Sequence, residues 1–295
     1  MNKVKRKSKI IYFLLTFPAL IIFIIFWFVP LLMGINYSLT DWNGLAQNYG
    51  YVGISNYIDV FTQKRTLNSL LFTGRYTLIL VILIMLISMG LTLLLTYVVA
   101  GRLRTAFRSV FFFPAVLSMI TVSMTWNQIF YRILPEVGRV LGIEILSKNI
   151  LGNPATAIWG IIIVNVWQGV AQPFVILLAG IQNVPKDQYE AAKIDGASSL
   201  QLFKNITVPY LIPTINVAFM LVLKAGINVF DYIQGMTAGG PMQSTESASV
   251  LIYQLAFKSQ KVNMASAYSI ILLIIVAVVS VLQQKISNRF EVGQL

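Results

Sequence analysis

Cysteine and histidine are both absent from the 295 residues. Their absence excludes disulfides, thiol nucleophiles, imidazole general bases and every zinc site built on those two side chains. Charge is scarce as well. Asp, Glu, Lys and Arg make up 11% of the chain, against roughly a quarter in soluble domains. Only ten carboxylates occur, scattered through connecting segments rather than paired, which leaves acid–base catalysis little to work with. The formal net charge of +12 does not imply a nucleic-acid partner, because it comes in short basic blocks between long uncharged runs. That placement orients a membrane protein.

What is abundant is apolar: 57% of the residues are hydrophobic. A transmembrane helix needs about 20 such residues to cross the hydrocarbon core. Uncharged runs cover Ile10 to Met33, Tyr76 to Ala100 and Ser109 to Tyr131. Others follow from Ala155 to Ile181, from Ile206 to Ile233 (interrupted by Lys224 and Asp231) and from Met264 to Gln284. Six helical spans are therefore expected, since a lipid solvent leaves backbone groups no partner but their own helix. The first run is longer than a signal-peptide core, and no small-x-small cleavage site follows it, so it is expected to be retained. A basic cytoplasmic N-terminus at 1–9, a six-span membrane domain at 10–285 and a cytoplasmic tail at 286–295 complete the expected organisation.

Six spans put both termini on one side. If that side is the cytoplasm, thirteen basic residues lie inside: Lys3, Lys5, Arg6, Lys7, Lys9, Arg102, Arg104, Arg108, Lys186, Lys193, Lys204, Lys285 and Arg289. Eight lie outside, and the inside loops are the shorter ones, as the positive-inside rule requires.

The inside loop between spans four and five, residues 185–209, carries the most local information. Pro185 suits the start of a helix and Asp187 suits its first turn, followed by the helix formers Glu190, Ala191 and Ala192. Gly196 breaks that helix, and Ser198 with Gln201 makes a capping box for a second one. Two short helices joined at a glycine are expected at the membrane surface. Three acids (Asp187, Glu190 and Asp195) set against the nearby lysines favour a protein partner over a lipid surface.

Glu190-Ala191-Ala192, then Asp195-Gly196-Ala-Ser, then Ile206 and Pro209 resemble the EAA loop of binding-protein-dependent ATP-binding-cassette (ABC) importer permeases, in the sugar branch typified by the maltose and glycerol-3-phosphate systems. Val208 stands where that family usually has leucine, which keeps an apolar side chain. Tyr51-Val-Gly-Ile-Ser-Asn-Tyr57, Phe230-Asp231, Thr237-Ala-Gly-Gly-Pro241 and Ala265-Ser-Ala267 resemble further segments of the same branch. Asn263 replaces a glycine common there, and its tolerance of left-handed backbone would preserve a turn. The resemblance implies an all-α, six-helix type I importer permease fold. It also implies a coupling helix that docks in a groove of an ATP-binding subunit. The partners implied are a second permease subunit, two ATP-binding subunits, an extracellular substrate-binding protein and a sugar. ATP and Mg would be used by the partner ATPase and no cofactor would be bound here. Consistent with that, the Gly-Lys step of a phosphate-binding loop never occurs.

Polar residues inside the spans form stripes at helical spacing. Asn216, Lys224, Asn228 and Asp231 share a face in span five, Asn165, Gln168 and Gln172 in span four, and Ser118, Thr121, Thr125 and Gln128 in span three. Such stripes either line a hydrophilic path or bind helices to one another. Lys224 at mid-span needs a cavity or a counter-ion, which favours the path. The segment from Gly235 to Lys261, rich in glycine, is expected to be flexible. A rival class, an ion-gradient-driven secondary transporter or channel, would give the 185–209 loop no task. It would also call for inverted repeats and charged relays, and neither is visible.

Overall fold

In the computed structural model, residues 13, 15–99 and 101–287 are described. The basic block at 1–9 and the tail beyond residue 287 lie outside them. Helices dominate the described residues, and the sole β feature among them is an isolated bridge between Thr40 and Tyr51. The elements are α1 (Leu15–Ser38), α2 (Ser55–Thr62), α3 (Lys64–Tyr97), α4 (Gly101–Val116), α5 (Met119–Leu141), α6 (Ala157–Gln182), α7 (Lys186–Ile194), α8 (Ser199–Ile227), α9 (Asp231–Met236), α10 (Ala248–Lys258) and α11 (Val262–Ser287). The chain divides into two compact units, Met1–Lys64 with Ile252–Leu273, and Arg65–Leu251 with Ile274–Leu295.

Helices α1, α3, α6, α8 and α11 are each long and apolar enough to cross a membrane. They match five of the expected spans, with several ends shifted, that of α3 the most. α3 runs 34 residues, or about 51 Å at 1.5 Å per residue, and begins at Lys64 rather than Tyr76. The expected third span is not a straight helix. Its place is taken by α4 and α5, which meet at an angle of 92°. Pro114 lies in a tight 3₁₀ turn at the end of α4, and Leu117 and Ser118 are both extended, with ψ of 145° and 130°. An uncharged run reads the same in sequence whether it is straight or broken.

In the larger unit, α3 packs through one stripe, Thr66, Ser69, Thr73, Tyr76, Thr77, Leu80, Ile84, Ser88 and Thr92. The hydroxyls of Thr73, Thr77 and Thr92 donate to the carbonyls four residues back, each at 2.7 Å. Polar side chains are thereby satisfied while staying small enough for close helix approach. Tyr76, Leu80, Ile161, Phe174 and Ile233 form the centre of the core around α6.

The segment from Gly235 to Lys261 is ordered, contrary to the expectation of a flexible connector. Thr245, Glu246, Ser247 and Ala248 are buried. Arg65 donates to both carboxylate oxygens of Glu246, at 2.7 and 2.8 Å. Ser247 caps the Val229 carbonyl at 2.8 Å, and Thr73 Oγ1 accepts from the Ala248 amide at 2.9 Å. Hydrogen bonds to distant residues fix what its glycines leave free.

In the smaller unit, Asn56 explains the Tyr51–Tyr57 motif. Its Nδ2 donates to the carbonyls of Ser38 and Thr40 at 2.9 and 2.7 Å, and its Oδ1 accepts from Asn263 Nδ2 at 2.9 Å. Asn263 therefore sits in the first turn of α11, bonded through its side chain. The left-handed residue before α11 is Gln260, with φ of +51°, and not Asn263 as expected.

Candidate functional site

The loop at 185–209 has the local form its residues dictate. Pro185 precedes α7, Asp187 is in its first turn and Lys193 in its last. Gly196 closes it at φ +79°, with the Gly196 amide on the Lys193 carbonyl at 3.1 Å and the Ala197 amide on the Ala192 carbonyl at 2.9 Å. This is the paired-bond termination in which a left-handed glycine follows the last helical residues. Ser198 and Gln201 then bond reciprocally, Gln201 Oε1 accepting from the Ser198 amide at 2.7 Å and Ser198 Oγ from the Gln201 amide at 3.4 Å.

The second helix differs from the expectation in one respect. It is not a separate short element but the beginning of α8, which continues to Ile227 through a π turn at Phe203–Thr207. Ile206 is buried within that turn, and Pro209 stands just after it, where its missing N–H removes a rung from the helical ladder. The second half of the loop and span five are one continuous helix.

α7 is also tied to its neighbours. Thr207, fully buried, meets the hydroxyl of Tyr189 at 2.8 Å and that of Tyr97 at 3.2 Å. Burial pushes the Tyr189 hydroxyl above its ordinary range, with the Thr207 bond opposing. A cavity of about 890 Å³ lies beside α7, framed by the ends of α3 and α6 and the start of α8, with Leu93, Tyr97, Val184, Glu190 and Phe203 in its walls. Elsewhere the loop presents apolar side chains outward: Ile194 is 86% exposed and Leu200 74%. Glu190, Ala191, Asp195 and Gly196 are exposed too, and Ala192 is half-buried.

The intramembrane polar residues are distributed unevenly. In α6, Asn165 and Gln168 are buried whereas Gln172 is exposed. Asn165 Nδ2 donates to the Tyr76 hydroxyl at 2.7 Å. Gln168 Nε2 donates to the carbonyls of Pro114 and Leu117 at 3.0 and 2.8 Å, and its Oε1 accepts from the Tyr232 hydroxyl at 2.8 Å. The expected span-four stripe is thus divided, two amides bracing neighbouring segments and one left free to face outward. Span five departs from its stripe as well. α8 ends at Ile227, Asn228 caps it with its side chain on the Lys224 carbonyl at 3.0 Å, and Asp231 opens a separate helix, α9. Asp231 is therefore off the face shared by Asn216, Lys224 and Asn228, in a first turn where the helix dipole favours an acid. Lys224 is exposed and takes part in no ion pair among the described residues. Asn216 is half-buried, and its Nδ2 is buried with no hydrogen-bond partner among the described residues. Ser118, Thr121, Thr125 and Gln128 are all exposed along α5.

Two structural pairs had no sequence signal strong enough to find them. Arg65 and Glu246 lie 181 residues apart, and Tyr76 and Asn165 lie 89 apart. A lone carboxylate among small hydroxyl residues at 244–247 was the available hint for the first.

Known proteins agree with this architecture. The family described as binding-protein-dependent transport system inner membrane component matches residues 97–292. The multiple sugar-binding transport system permease protein MsmF of Streptococcus mutans is 42% identical over 92% of this chain and 93% of its own length. The probable starch degradation products transport system permease protein AmyD of Thermoanaerobacterium thermosulfurigenes is 32% identical over 97% of each chain. A chain of the bacterial alginate ABC transporter, crystallised in complex with an alginate pentasaccharide-bound periplasmic protein, shares the fold. It has a TM-score of 0.83 at 21% identity and is matched over 99% of its length by 100% of this one. This chain is a member of the binding-protein-dependent transport system inner membrane component family.

Proposed function

We propose that this chain is one permease subunit of an ATP-driven importer of sugars or oligosaccharides, forming half of the pathway and holding no ATPase site of its own. It would work with a second permease subunit, two ATP-binding subunits that use ATP and Mg, and an extracellular binding protein that delivers the sugar. The observation that carries the coupling role is the surface loop. It exposes two large apolar side chains on either side of a left-handed glycine, Ile194 at the end of α7 and Leu200 in the first turn of α8, which continues as a membrane-spanning helix. Exposed apolar knobs on a rigid element are costly in water and suit a protein groove. The sugar class is supported by the names of the relatives at 42% and 32% identity.

The pathway would be lined by Gln172, Lys224, Asn228 and Asn216 together with the exposed α5 stripe, amides and hydroxyls being suited to sugar hydroxyls. Asn165 and Gln168 would support that lining from behind, and Asp231 would stand at its edge.

In proteoliposomes holding the assembled complex, uptake should collapse on ATP depletion and survive an uncoupler. Glu190→Lys or Ile194→Asp should leave insertion intact and remove substrate-stimulated ATP hydrolysis. Uptake that follows an ion gradient would establish the secondary-transporter alternative instead, and normal coupling in both variants would overturn the coupling role of the loop.

A further inference from the structure

We propose that Gln168 is a positioning residue for transport, holding the break in span three at the angle that presents the α5 stripe to the cargo. The inference rests on the reading that this stripe lines the pathway.

The break itself creates the need. Leu117 and Ser118 are extended, so the helical ladder stops between α4 and α5. Backbone carbonyls freed inside a membrane protein must be satisfied by some other donor. Gln168, 5% exposed, supplies it from the middle of α6: its Nε2 reaches the Leu117 carbonyl, and also the Pro114 carbonyl, which accepts from the Leu117 amide at 3.2 Å as well. Its Oε1 is held in turn by the Tyr232 hydroxyl of α9. One amide thus joins span three, span four and α9.

α9 then supports α5 along its length. Ser123 Oγ lies 3.2 Å from the Asp231 carbonyl, and Asn127 Nδ2 donates to the Met236 carbonyl. Gly235 permits the approach, because a Cβ there would fall 2.5 Å from Ser123 Oγ. Ser123 and Asn127 face this platform, while Ser118, Thr121, Thr125 and Gln128 are exposed. Gln168 fixes where α5 starts and α9 fixes how it lies, which together decide where the stripe points. Because both polar atoms of Gln168 are already bonded within the protein, it acts through the break and not by touching cargo.

The chain has no cysteine of its own, so Thr121→Cys or Thr125→Cys gives this subunit a single thiol. The assembled complex in proteoliposomes would be treated with a charged methanethiosulfonate reagent, with and without ATP plus orthovanadate. Both thiols should react, at rates that differ between the two states. In a Gln168→Met background of nearly equal volume, that difference should shrink about tenfold, as expected for losing buried hydrogen bonds. Gln168→Glu, which keeps the acceptor for Tyr232 but lacks the amide donors, should behave like Gln168→Met. Tyr232→Phe should give a smaller shift in the same direction. Thiols that never react would overturn both the pathway reading and this inference. Thiols whose state dependence is unchanged in Gln168→Met would leave the pathway reading standing and overturn the inference alone. Should Gln168→Met fail to assemble, unaltered rates in Tyr232→Phe would overturn it equally.

Discussion

Substituting Gly196 separates backbone conformation from sterics. A Cβ built on this residue meets no heavy atom within 4 Å, so space does not limit the substitution. What limits it is φ of +79°, where an L-residue costs about 1–2 kcal/mol and a β-branched one more, while asparagine tolerates the region better. The penalty acts on the two bonds that close α7, from the Gly196 and Ala197 amides. If docking needs that closure, apparent affinity for the ATP-binding subunit falls with the population of the closed turn, by up to about thirtyfold for Gly196→Ala. The expected order is Gly, then Asn, then Ala, then Val. Binding of the ATP-binding subunit to the membrane-inserted chain measures it, with protease protection reporting insertion. A valine variant that docks as well as glycine, or an asparagine variant as poor as valine, would refute the conformational explanation.

Three further substitutions test the packing. Arg65→Met leaves the buried Glu246 carboxylate without its bidentate partner and should lower stability by about 3 kcal/mol. Glu246→Gln leaves a half-exposed arginine that water can reach, and should cost less; equal shifts in thermal unfolding in detergent would contradict that asymmetry. Asn56→Ala removes three hydrogen bonds in the smaller unit and should cost about 2–3 kcal/mol, whereas an unchanged melting temperature would show that water replaces them.

Much of the fold was legible because its determinants are local or compositional. Uncharged runs located five spans within a few residues at most of their ends, and Pro185, Gly196 and the Ser198–Gln201 box specified how the loop turns. Non-local features were hidden. The right-angle break depends on Leu117 and Ser118 being extended and on an amide from another helix, and nothing in an apolar run announces either. The same holds for the ordered segment after α9. Its glycines suggested freedom, while Arg65, Thr73 and the Val229 carbonyl, all distant in sequence, determine its path. In the candidate site, helical spacing aligned Asn165, Gln168 and Gln172, but the structure buries the first two and exposes the third. Spacing could not say that the first two would be consumed by Tyr76, Tyr232 and two carbonyls. Asp231 left its stripe because α8 ends at Ile227, a boundary that an uncharged, amide-containing sequence marks weakly.

The 29 residues of α8 amount to a rod about 44 Å long. Its irregular rungs, the π turn at Phe203–Thr207 and the prolines at 209 and 213, all fall in the half nearer the surface. From Thr214 onward the ladder has no proline, and Thr214 itself is in contact range of Gly180 on α6. Compliance is therefore concentrated at the wrist and stiffness in the forearm. A push delivered at Leu200 flexes the rod close to where it is applied, and the remainder tilts as a solid bar. A tilt of about 10° of the roughly 21 Å from Thr214 to Ile227 would sweep its far end through about 4 Å, more than the diameter of a water molecule.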